Sequence, residues 1–244
     1  DIKHLKRRLT FRGVEEIMAS AEEKIYNTLY RPEKKEAYTR CQDFLDELLL
    51  ARKILITEHQ SLFLENLDCF ILKVRVFGFY FASLDIRQDS RKHDETWQAI
   101  LKNWQEKNYG DHTNEFLQGD ENTRIHRLLM ASAPLDENDF SDPFVKETIR
   151  SFTAIRDIQQ RNGELGCHRY IISNCQSALH VAEVLALAQL SWQNANKLTA
   201  HEAIPLDIVP LFETIDDLAH CGDIMRQLYT NPHYAAHLAS RGQI

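Results

Sequence analysis

Two short stretches of the chain carry residue types able to hold an anionic substrate. The first is Leu84-Asp85-Ile86-Arg87-Gln88-Asp89-Ser90, with His93 close behind. An arginine supplies a planar, permanently charged fork that matches the oxygens of a phosphate or carboxylate. The competing use of Arg87 is an ion pair with Asp85, two residues back on the same strand face, and spacing alone favours it. The second stretch is Pro210-Leu211-Phe212-Glu213-Thr214-Ile215-Asp216-Asp217-Leu218. Glu213 is a hard oxygen donor of the kind Mg²⁺ takes, or a base; a plain ion pair is an equal alternative. Asp216 and Asp217 need no catalytic role. They follow Thr214 in the first turn of a helix, where negative charge complements the macrodipole and Asp217 can close a capping box.

A third stretch, Tyr170-Ile171-Ile172-Ser173-Asn174-Cys175-Gln176-Ser177, reads as a buried strand followed by a helix cap. Cys175 has no His or Asp placed in a motif to activate it, and free cysteine usually packs. The remaining histidines are scattered without ligand spacing, and none is assigned to a metal.

The elements that must position these residues follow from periodicity. Apolar residues return every three or four positions over Tyr38–Ile54 and again from Phe63 to Phe77, where Gly78 is placed to stop the helix. Further helices are expected over Asp94–Gln105, Glu121–Ala131, Pro143–Gln160, Ala178–Leu190, Ile215–Leu228 and His233–Ser240. Three stretches read as strands, Phe79–Arg87, Arg169–Ser173 and Ile208–Glu213. Each runs into a helix start, with Ser90, Ser177 and Thr214 as expected caps. In the first strand Ser83, Asp85 and Arg87 share one face, while Ala82, Leu84 and Ile86 share the other and should pack under helices. Pro210 removes one ladder hydrogen bond from the third. Such βα units place functional side chains at the carboxyl ends of parallel strands. The fold class is therefore mostly α with a few parallel β-strands, a partial TIM-like α/β barrel fragment surrounded by helices. Residues 1–66 form a helical segment, and 67–244 a partial βα barrel segment carrying part of an active site.

Composition sets the bounds. The 244 residues are 43% hydrophobic and 27% charged, ordinary for a globular protein. Only 8 glycines and 6 prolines disfavour a turn-rich all-β fold. A formal charge of −7 argues against general nucleic-acid affinity, and Lys3, Lys6, Arg7, Arg8 and Arg12 read as a solvated helix face or a crossing to another part of a larger protein. Five cysteines without CxxC spacing point to reduced thiols in a cytosolic protein. The longest apolar run, Val76–Ala82, is too short to span a bilayer, and no signal-peptide pattern is present. A first residue of Asp1, with too few strands to close a barrel, leads to the expectation of an excised piece.

The string Leu84–His93 (LDIRQDSRKH), together with Pro210–Leu218 (PLFETIDDL), closely resembles the phosphoenolpyruvate carboxylase family. Tyr170–Ser173 (YIIS) falls between them in the family's order. The resemblance is strong from about Leu67 to the end and weaker over the first quarter. It implies an internal fragment of an enzyme, a lyase, that carboxylates phosphoenolpyruvate with bicarbonate to oxaloacetate and phosphate, an anaplerotic carbon fixation feeding the tricarboxylic acid cycle. It further implies a need for Mg²⁺ or Mn²⁺, a cytoplasmic location and a homotetramer, with no nucleic-acid or membrane partner. By motif, Arg87 and, less specifically, Leu211 are implied as substrate-binding residues, and Glu213 as one of two carboxylate ligands of the metal. No residue within the chain is assigned as catalytic. The family's catalytic histidine, second metal carboxylate and glycine-rich loop have no match here, so the fragment alone is expected to be inactive. Two alternatives stand beside this one. One is a non-catalytic helical interaction module derived from the same fold; the other is a different phosphoenolpyruvate- or aldol-type barrel with a metal-bound enolate.

Overall fold

A computed structural model describes residues 11–109, 119–196 and 204–242. The chain divides into two compact units, residues 1–82 and 83–244. The 66/67 position drawn from the sequence lies inside a helix of the first.

Among the described residues of the first unit three helices, α1 (Val14–Tyr30), α2 (Cys41–Glu58) and α3 (Leu64–Phe77), pack around Ala21, Tyr38, Phe44, Leu48, Ile71 and Val74. The apolar periodicity marks α2 and α3. It does not mark α1, whose apolar positions are interrupted by Glu15, Glu16, Glu22 and Glu23. Gly78 ends α3 at φ 51°, donating its N–H to Val74 O. A Cβ there would lie 2.5 Å from the Tyr80 ring, so both conformation and space require glycine.

The second unit is built on three parallel strands, β1 (Asp85–Asp89), β2 (Arg169–Ser173) and β3 (Asp207–Pro210), in the spatial order β1-β2-β3. Helices fill the connections: α4 (Ser90–Glu106), α5 (Glu121–Leu129) and α6 (Pro143–Asn162) between β1 and β2, and α7 (Ala178–Asn196) between β2 and β3. Then come α8 (Ile215–Thr230) and α9 (Pro232–Ser240). Parallel strands need such long crossovers. Tyr170 and Ile172 of the middle strand are fully buried, and the Tyr170 ring stacks on Phe152 of α6 with centroids 5.0 Å apart. Helix α7 is buried nearly all round, from Val181 through Leu187, which explains its almost unbroken apolar sequence.

The chain thus has the expected mostly helical character with a few parallel strands, but two strands shift. Residues Gly78–Tyr80 turn and Phe81 takes φ 61°, so the first strand starts at Asp85 rather than Phe79 and continues to Asp89. Of the aliphatic row meant to pack under helices, only Ile86 reaches the core; Leu84 is 57% exposed. The third strand ends at Pro210 rather than Glu213. Leu211 still donates its N–H to Ile172 O and accepts from Cys175 N, but the chain beyond it turns toward α8. The cap of α4 is Asp89, whose carboxylate accepts the Arg91 N–H, and not Ser90. Ser90 is instead buried, donating its hydroxyl to Asn174 O. Thr214 caps α8 in a full capping box with Asp217, as the spacing requires.

Candidate functional site

Because all three strands run the same way, their carboxyl ends lie along one edge of the sheet. Arg87 comes from β1, Ser173 is the last residue of β2, and Glu213 follows β3 by three residues. Backbone register sets the first two strands side by side, with Arg87 opposite Ile171 and Asp89 opposite Ser173.

Side chains join across the strand ends. Arg87 donates from Nε to Ser173 Oγ at 2.7 Å and from Nη2 to Glu213 Oε1 at 2.7 Å. The second oxygen of Glu213, Oε2, accepts the Asn174 backbone N–H at 3.1 Å. Asn174 takes φ 53°, a left-handed conformation that asparagine tolerates, directly after β2. Asp217 braces the same loop. Its Oδ2 accepts the N–H groups of Glu213 (3.3 Å) and Thr214 (3.0 Å), and its Oδ1 accepts Gln176 Nε2 at 3.3 Å. The Thr214 N–H and hydroxyl, followed by Glu213 N–H and Gln176, hold the Asp217 carboxyl below its ordinary range.

The Arg87 and Glu213 side chains remain 58% and 38% exposed. Among the described residues Arg87 Nη1 has no hydrogen-bond partner, so part of the fork faces outward. Asp85, the expected partner of Arg87, instead lies 3.5 Å from Arg169. The reason is register: Asp85 sits directly opposite Arg169 in the parallel ladder, while Arg87 reaches along the strand ends. Leu211 is half-buried, two residues before Glu213.

A hard divalent cation takes about six oxygen ligands. Glu213 is a donor of the right kind. Among the described residues, however, no group of three or more His, Cys, Asp or Glu side chains could hold a metal ion. Both Glu213 oxygens are already hydrogen-bonded. Among the described residues Glu213 is thus a single oxygen donor and not a complete site.

The motif reading included Arg87 and Glu213 but gave no function to Ser173, Asn174 or Gln176, and made Asp217 only a cap. Strand alternation was the available signal. With Tyr170 and Ile172 buried, Ser173 lies at the exit of the strand, next to the site.

Away from these residues, His93 and Glu183 are among the buried titratable groups of this unit. His93 is fully buried, with Nε2 2.9 Å from the Tyr170 hydroxyl and Nδ1 unpartnered. Burial, aided by the charge of His180, pushes its pKa down to about 3. Glu183, 2% exposed, has Oε2 unpartnered, and burial followed by the charge of Asp94 pushes it up to about 8.

The family model for phosphoenolpyruvate carboxylase matches residues 2–244. Curated relatives of that name include proteins of Prochlorococcus marinus (33% identical over 213 residues, 84% of this chain and 20% of that protein). Others are from Gloeobacter violaceus (33% over 207 residues, 82% and 21%) and a Nostoc species (36% over 214 residues, 85% and 20%). The chain spans about a fifth of the length of these relatives. Among the described residues no helix is long and apolar enough to cross a membrane.

Proposed function

The chain belongs to the phosphoenolpyruvate carboxylase family, and from that premise we propose that it is an internal part of an enzyme that carboxylates phosphoenolpyruvate with bicarbonate, giving oxaloacetate and phosphate. The observation that carries the site assignment is the contact of Arg87 with Glu213. They are 126 positions apart in sequence and 2.7 Å apart at the carboxyl ends of parallel strands. An exposed guanidinium beside an exposed carboxylate is the pairing expected where a phosphorylated substrate meets a divalent ion.

In this reading Arg87 turns its outward N–H groups to the phosphoryl oxygens and offsets their charge. Leu211 contributes apolar surface beside the substrate methylene. Glu213 would supply one carboxylate oxygen to Mg²⁺ or Mn²⁺, and the described residues supply no complete ligand set around it. When bound, the metal supplies Lewis-acid stabilisation of developing negative charge. Glu213 is held ready by the Asn174 N–H and by Asp217 on its own backbone. The three parallel βα units support a place in a TIM-like barrel. A cytoplasmic homo-oligomer, probed most simply by sizing the intact enzyme, rests on the family alone.

The deciding measurement is metal-dependent turnover of the intact carboxylase carrying Glu213→Gln. A loss on the order of a hundredfold or more is expected, since even changes one shell further out reach that size. Wild-type turnover with an unaltered Mg²⁺ requirement would remove Glu213 from the metal. A non-catalytic module of the same fold remains the second reading, because the described residues lack a complete ligand set. It requires that the intact protein form no oxaloacetate.

A further inference from the structure

A guanidinium has two edges that can meet a phosphoryl group in a bidentate way, Nε with Nη2 or Nη1 with Nη2. Which edge faces the ligand depends on what occupies the others. For Arg87 the Nε–H is taken by Ser173 Oγ at 2.7 Å, and Nη2 donates to Glu213 Oε1 at 2.7 Å. These two contacts differ in kind. Glu213 attracts by charge from a range of directions, and its carboxylate is the one assigned to the metal. The Ser173 hydroxyl is neutral, and its position is fixed by the sheet: it ends the middle strand, opposite Asp89, after the fully buried Tyr170 and Ile172. At 58% exposure an arginine side chain has many rotamers to lose, and packing alone does not select one.

We propose that Ser173 is the positioning residue that fixes the Arg87 fork, taking the Nε–H so that the Nη1 end is presented to the phosphoryl oxygens. This rests on the carboxylase reading above. Ser173 acts through Arg87 and needs no contact with substrate. The hydroxyl oxygen is the essential feature, so threonine should replace serine, and the isosteric valine should not.

The test uses the intact carboxylase containing these residues, with Ser173→Thr, Ser173→Val and Ser173→Ala made beside Arg87→Ala. Losing one hydrogen bond to a charged group should raise KM for phosphoenolpyruvate by about tenfold or more in the Val and Ala variants. Their kcat and bicarbonate KM should stay within about twofold of wild type, the signature of lost uniform binding. Ser173→Thr should restore the wild-type KM. The Thr/Val pair has nearly equal volume and suits a strand, so it decides the matter even if Ser173→Ala folds poorly. An unchanged KM in Ser173→Val while Arg87→Ala raises it overturns the positioning role alone. A Thr variant as impaired as Val reduces Ser173 to packing and also overturns it. An Arg87→Ala enzyme with unaltered phosphoenolpyruvate KM overturns the carboxylase assignment of the site, and the present proposal with it.

Discussion

Arg87 and Glu213 form an ion pair open to water, and such pairs contribute between about 0 and 1 kcal/mol to stability. Removing the guanidinium should therefore separate chemistry from folding. Arg87→Met is expected to change the unfolding free energy of the chain by less than about 1 kcal/mol, while in the intact enzyme it should abolish tight phosphoenolpyruvate binding. A large stability loss would mean that the pair is structural. Glu183 and His93 present the opposite case, buried groups that cost stability when charged. The Glu183 carboxyl is pushed from 4.5 up to about 8, so it is protonated in the folded chain where the unfolded chain has already ionised. Below about 4.5 it makes no difference; the cost grows through the interval to 8 and is complete above it. Glu183→Gln should flatten that decline in urea unfolding measured from pH 4 to 9, with a gain at pH 9 and none at pH 4. His93, pushed from 6.5 down to about 3, acts in the acid direction. Its neutral form is shared with the unfolded state above 6.5, and stability falls as pH drops below that toward 3.

At the scale of elements, the capping box of α8 is the device that links folding to the site. Thr214 and Asp217 satisfy the first N–H groups of the helix, and Asp217 also takes the Glu213 N–H. Thr214→Ala should cost about 1 kcal/mol of stability, and Asp217→Ala should also loosen the backbone that carries Glu213. The second variant should show a weaker metal response in the intact enzyme than the first; equal responses would contradict the brace. Much at this scale could be read from the sequence. The spacing of Thr214 and Asp217 prescribed the box, and the period of three and four in α2 and α3 prescribed their stripes. Strand limits were harder. The aromatic run Phe79–Phe81 has strand composition, yet Gly78 and the left-handed Phe81 turn it, a backbone effect that residue preference does not encode. Asp89 outcompeted Ser90 as cap because register carried the Ser90 hydroxyl inward to Asn174 O, a partner 84 positions away.

At the scale of the whole molecule, the site depends on contacts that no local pattern reveals. Asp85 and Arg87 share a strand face in sequence, but their partners come from distant segments, Arg169 from the adjacent strand β2 and Glu213 from the turn after β3. Recognising the two motifs identified the residues; only the parallel sheet explains why they meet. With no complete ligand set around Glu213 among the described residues, the 244-residue chain on its own should bind Mg²⁺ no tighter than about millimolar. It should also form no bicarbonate-dependent oxaloacetate; calorimetric titration and a coupled assay would each expose the contrary.

The sheet order also bears on synthesis. Since β1, β2 and β3 lie side by side in the order in which they are made, this sheet can be assembled by adding each later strand at the rim of the earlier ones. None has to be threaded between two that have already zipped together. The guanidinium is laid down first, its serine neighbour second and the carboxylate last, so the opening is finished only when the third strand arrives.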